Sequence, residues 1–127
     1  MVQERGIDPR RTGMAGASRG AIVATIAAGV DDRLSPVLLI YGGHGGSTEH
    51  GHLPPACPAN YIGRIAPRPL LMINGTQDAV ILKESRVDPL FRLVRQPKQI
   101  IWTDGGHMFM TEEHRAALIQ WLREHQK

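Results

Sequence analysis

Apolar positions fall in short runs separated by turn-forming stretches. Val37-Leu38-Leu39-Ile40-Tyr41 is continuous, as expected of a strand buried on both faces of a parallel sheet. Leu70-Leu71-Met72-Ile73 is a second such run, opened by Pro69 and closed by Asn74-Gly75, and Gln99-Ile100-Ile101-Trp102 is a third. Thr12-Gly13-Met14-Ala15 is a weaker strand candidate, short and glycine-containing. Between these runs the pattern is helical. Residues 19–30 combine apolar side chains with alanine and glycine, which suits close packing on a sheet. Residues 60–65 suggest one helical turn. Residues 82–94 predict an interrupted helix, with Asp88-Pro89 as a fresh N-cap and first-turn pair and Leu90, Leu93 and Val94 on one face. Thr111 is the expected cap of a final helix, with Glu112 and Glu113 in its first turn and Arg123 near its end. Its buried stripe should be Ala117, Leu118, Trp121 and Leu122. Residues 42–60 read as a long loop rich in Gly, His and Pro.

Strands alternating with helices imply a parallel α/β sheet. The expected architecture is a three-layer α/β sandwich with about four strands in sequential order. The 127 residues suffice for a single domain spanning 1–127.

Composition narrows the picture. Apolar residues make up 42% and charged residues 21%, ordinary for a soluble globular protein, while aromatics at 5% imply an aliphatic core. The net charge of +3 comes mainly from arginines scattered along the chain, without a basic run longer than Arg10-Arg11, so nucleic acid is not an expected partner. The lone Cys57 excludes an internal disulfide and fits a reducing compartment. The first residues form no signal-peptide core, and no apolar run approaches membrane-spanning length. The expectation is a cytoplasmic protein with no membrane partner.

Candidate chemistry begins at Gly16-Ala17-Ser18-Arg19-Gly20, a Gly-x-Ser-x-Gly pentapeptide between a candidate strand and a candidate helix. Such a turn holds its serine at positive φ, and flanking glycines remove Cβ atoms that would clash. The backbone N–H of Arg19 would donate to a developing oxyanion. The pentapeptide alone is equally compatible with an ordinary turn. Asp78 and His107, however, each follow the end of an apolar run by a short turn. In open α/β sheets ligands bind at that end of the strands. A serine hydroxyl needs a base, and an imidazole base needs a carboxylate to fix its tautomer. The order Ser18, Asp78, His107 is that of the α/β hydrolases.

Competing assignments are weaker. Asp104 lies only three residues from His107 and better suits a loop cap, and Asp88 is expected to cap a helix. His44, His50, His52 and Cys57 match no closed zinc spacing, so neither a metal nor a cofactor is expected. His44 directly follows a strand end and, with Ala17, is a candidate pocket-lining residue. Gly13, Gly16 and Gly20 lack the solid apolar strand that a phosphate-binding loop needs before its first glycine. Trp102 and Trp121 are expected in the core, and His114 and His125 on the surface. The Arg19 side chain is either solvated or turned toward an acidic substrate group.

Residues 8–20 resemble the nucleophile-elbow segment of the dienelactone hydrolase, acetyl-xylan-esterase and prolyl-oligopeptidase branch of the α/β hydrolases. Residues 65–78 are similar to that branch's acid-strand segment, and Gly105-Gly106-His107 to its histidine loop. The resemblance runs from about Asp8 to the C-terminus and covers the C-terminal half of the family domain. It implies Ser18 as nucleophile, Asp78 as acid, His107 as base and Arg19 as an oxyanion-hole donor. It also implies cleavage of small carboxylic esters, with peptide or amide cleavage as the alternative within the family. The 42–60 loop has few bulky apolar residues to form a lid, so short acyl chains are the expected preference. From another class, the rival is a non-catalytic remnant acting as an interaction module. Ala21 stands where the family usually has a second glycine. The family's N-terminal strands, and the loop supplying its second oxyanion donor, have no counterpart. The strand near residues 12–15 would then expose an edge, and a homo-oligomer, most simply a dimer through residues around 5–30, is expected.

Overall fold

The computed structural model describes residues 6, 8–43 and 57–126. Four parallel strands, β1 (Met14–Ala17), β2 (Val37–Ile40), β3 (Leu70–Gly75) and β4 (Lys98–Thr103), lie side by side in chain order. Met14 is in register with Val37, Val37 with Leu70, and Leu70 with Lys98. The crossovers carry helices α1 (Arg19–Val30) and α2 (Asp88–Leu93), and α3 (Glu112–His125) follows β4.

The central strand β3 is buried along its whole length, which is why its sequence shows no alternation. On one face of the sheet Ala21, Ala24 and Ala28 of α1 and Leu90 of α2 pack with Val37, Leu39, Leu70 and Met72. On the other, Leu118 and Trp121 of α3 cover Leu38, Leu71 and Ile73. The structure is therefore a three-layer α/β sandwich. The small side chains of α1 permit a close approach to the sheet. Arg68 ties off the end of α1: its guanidinium donates to the carbonyl of Ala28 in the last turn, which lacks an intrahelical partner, and to those of Asp31 and Leu34 just beyond the helix.

Several boundaries differ from the sequence expectation. The first strand runs to Ala17 because Gly16 and Ala17 continue the ladder with Leu39 and Ile40. Residues 60–65 are covered by two 3-10 turns, Pro58–Asn60 and Ile62–Arg64. The interrupted helix is a π turn, Lys83–Val87, running into α2. Asp88 is not an N-cap but the first residue of α2, and its carboxylate pairs with Lys83 at 3.0 Å. Thr111 caps α3 as expected, and His114 completes a reciprocal capping box with it. Ala117 is exposed rather than part of the buried stripe, because α3 is anchored through Leu118 and Trp121, with Leu122 packed partly buried beside them.

At the outer edge of the sheet, Met14 N–H donates to Pro36 and Ser18 N–H to Ile40, both toward β2. Alternation along a parallel strand leaves the N–H groups of Ala15 and Ala17 facing outward. Nearby on α1, Val23 and Val30 are 66% and 70% exposed. Among the described residues no helix is long and apolar enough to cross a membrane.

Candidate active site

Ser18 sits between β1 and α1 with φ 55° and ψ −117°, a backbone conformation that L-residues seldom adopt. Its amide is fixed by donation to the Ile40 carbonyl at 2.8 Å. A Cβ on Gly16 would run into the backbone carbonyl of Gly20, so Gly16 is sterically required. A Cβ on Gly20 would meet open space, so the second glycine is not required in the same way.

The loops that carry Asp78 and His107 are tied to each other before their side chains meet. Thr76 N–H donates to the Thr103 carbonyl at 2.9 Å, and Gln77 N–H to the Gly105 carbonyl at 3.1 Å. Gly75 has no room for a Cβ, which would press on the Gly105 carbonyl. Asp78 is buried. Its Oδ1 accepts from the amides of Val80 and Ile81, both at 2.8 Å. Its Oδ2 lies 2.7 Å from His107 Nδ1. A carboxylate only accepts, so Nδ1 carries the proton and Nε2 is left with a free lone pair. Ser18 Oγ stands 3.0 Å from that Nε2 and donates to it. The Asp78 side chain is fully shielded, whereas His107 keeps 22% exposure, so part of its ring is open to solvent.

Arg19 opens α1, so its N–H has no intrahelical acceptor. That group lies beside the serine and can serve a developing negative charge. The Arg19 side chain and Ala17 are exposed at the same end of the sheet. His44, the other candidate lining residue, lies outside the described residues, as do His50 and His52. Asp104 is exposed, and neither it nor Asp88 is hydrogen-bonded to His107. Trp121 is buried, and His125, read from sequence as a surface residue, stacks on it with ring centroids 4.6 Å apart. Trp102 is only partly buried and faces the Lys83 ammonium.

Two residues near the site were not foreseen. Tyr41, directly after β2, is fully buried with φ 53°. Its hydroxyl lies 3.0 Å from the hydroxyl of Thr103, and its ring meets the His107 ring nearly at right angles, centroids 5.8 Å apart. Burial raises the Tyr41 phenol above its ordinary pKa, reinforced by the Asp78 charge and opposed by the hydrogen bond with Thr103. A tyrosine closing an apolar run just before Gly42-Gly43 was the available signal.

No protein-family model matches the chain, and no curated protein matches it. Solved structures do. A cold-adapted esterase from an Arctic intertidal metagenomic library is similar over 99% of this chain and 53% of its own, at 22% identity and TM-score 0.80. Acetyl xylan esterase 1 from Thermoanaerobacterium is similar over 92% and 46%, at 20% identity and TM-score 0.73. A puromycin hydrolase is similar over 95% and 22%, at 18% identity and TM-score 0.70. The chain spans about half the length of these two esterases. Its fold is that of the C-terminal part of an α/β hydrolase.

Proposed function

We propose that this chain carries a serine hydrolase site that cleaves small carboxylic esters through an acyl-enzyme on Ser18. One observation carries the reading: an unbroken hydrogen-bonded chain from Ser18 Oγ through His107 to the shielded Asp78 carboxylate. His107 Nε2 takes the hydroxyl proton as Ser18 Oγ attacks the ester carbonyl carbon. The imidazolium that forms is stabilised by Asp78, which stays ionised. The carbonyl electrons move onto oxygen, facing the Arg19 N–H. Collapse of this intermediate expels the alkoxide, which takes the proton from His107 and leaves as the alcohol. Water then attacks the acyl-enzyme, with His107 as base again, and releases the acid and free Ser18. The scheme needs no cofactor. Each oxyanion donor contributes about 2.7–4 kcal/mol to such a transition state, so a second donor besides Arg19 would matter greatly to the rate.

Short acyl chains are the proposed preference, because residues 42–60 contain few bulky apolar side chains that could form a lid. Turnover of p-nitrophenyl acetate by the wild type, absent in Ser18→Ala, tests the activity. Faster hydrolysis of p-nitrophenyl palmitate than of the acetate would contradict the chain-length preference. Amide cleavage is the second reading, favoured by the likeness to a puromycin hydrolase. Faster turnover of a p-nitroanilide than of the matching ester would select it.

A further inference from the structure

We propose that Tyr41 is a positioning residue for His107, its ring propping the imidazole on a side that neither Asp78 nor Ser18 holds and its hydroxyl anchored on Thr103. This rests on the reading of Ser18 and His107 as a nucleophile–base pair.

Two hydrogen bonds fix the imidazole at Nδ1 and Nε2, from Asp78 and Ser18. Hydrogen bonds at the two ring nitrogens act close to the ring plane and resist tilting out of it only weakly. Packing against the ring adds resistance to turning about Cβ–Cγ, and the Tyr41 ring supplies it in a near-perpendicular contact. The tyrosine reaches there from a strand that does not neighbour β4. It leaves β2 and bridges past β3 to pair with Thr103, the last residue of β4.

The left-handed backbone at Tyr41 makes this reach possible. A bulky residue holds φ 53° only where its surroundings over-determine it. Here the Tyr41 amide donates to the Ile73 carbonyl at 2.7 Å, and Asn74 Nδ2 donates to the Gly42 carbonyl at 2.8 Å. A Cβ on Gly42 would strike that of Ala21, so the backbone is also wedged against α1. Contacts from β3, β4 and α1 thus converge to hold one strained tyrosine against the base. The tyrosine hydroxyl is engaged by Thr103 and its contact with His107 is through the ring, so its part is to position the base.

The experiment combines the rate of Ser18 labelling by a fluorophosphonate with the downfield proton resonance of His107 Nδ1–H, in the whole chain. Tyr41→Leu should lower the maximal labelling rate by about tenfold or more, as expected for a misplaced base, with the half-saturating probe concentration unchanged. It should also broaden or shift the Nδ1–H resonance. Tyr41→Phe keeps the ring and should lose less. Thr103→Val should match it, and the double variant should be no worse than either single one. Wild-type rate and an unmoved resonance in Tyr41→Leu would overturn the proposal. If that variant fails to fold, Tyr41→Phe and Thr103→Val decide: wild-type behaviour in both overturns it. If the wild type does not label at all, the hydrolase reading fails, and the resonance, which needs no turnover, still decides the role of Tyr41.

Discussion

Gly16 and Gly20 face each other across the serine turn, and only Gly16 is confined: its missing Cβ is the space occupied by the Gly20 carbonyl. Gly16→Ala must therefore push β1 away from α1 and move Ser18. We expect loss of esterase activity together with destabilisation of about 1–3 kcal/mol, the usual range for overpacking. Gly20→Ala meets no neighbour and sits in a helix, so it should be neutral or stabilise by up to about 1 kcal/mol. Denaturant titration of the two variants checks the contrast. Equal destabilisation by both would contradict it.

The three chemical residues should separate by role. Ser18→Ala and His107→Ala should abolish turnover of p-nitrophenyl acetate while leaving the unfolding midpoint within a few degrees. Asp78→Asn keeps an oxygen for the Val80 and Ile81 amides but offers the imidazole the wrong tautomer, and kcat should fall by up to roughly 10⁴-fold. Turnover in Ser18→Ala equal to wild type would remove the serine from the scheme.

Tyr41 gives a pH dependence of stability with a definite sign. Its folded pKa is raised by burial, so the folded state holds the phenolic proton more tightly than the unfolded chain. That stability is fully present below the ordinary tyrosine value near 10 and is lost as pH rises through the folded value. Unfolding midpoints followed upward from pH 9 should fall more steeply in wild type than in Tyr41→Phe. Parallel curves would show that the buried phenol is not the group responsible.

The outward N–H groups of Ala15 and Ala17 form an edge with no charged side chain on β1, beside the exposed Val23 and Val30. Such an edge invites pairing with another strand. We propose a homodimer of this chain through β1 and α1, dissociating in a variant with lysine at Ala15. Sedimentation equilibrium at micromolar concentration should give twice the 14.0 kDa chain mass for the wild type. A folded 14.0 kDa wild-type monomer would contradict the dimer.

The sheet order and the meeting of Ser18, Asp78 and His107 were legible in the sequence because Asp78 and His107 each follow an apolar run by a short turn and Ser18 lies in a Gly-x-Ser-x-Gly turn between a strand and a helix candidate. Strand order then brings all three to one end of the sheet. What escaped depends on tertiary contacts. Tyr41 reads as the last residue of an apolar run, and its reversal at positive φ appears only once Thr103 and Asn74 are in place. Asp88-Pro89 looks like a helix start, but the preceding π turn already supplies helical backbone, so the carboxylate is free for Lys83. Ala117 has the spacing of a buried position, yet α3 rests on the sheet through a narrower contact than its apolar pattern suggests.

The central claim is that Ser18 is made nucleophilic by His107. Stoichiometric reaction with a fluorophosphonate, read by intact mass and peptide mapping, tests it most directly. The account predicts one adduct per chain, located on Ser18, and none in Ser18→Ala or His107→Ala. An unlabelled wild type, or an adduct that persists in Ser18→Ala, would contradict it.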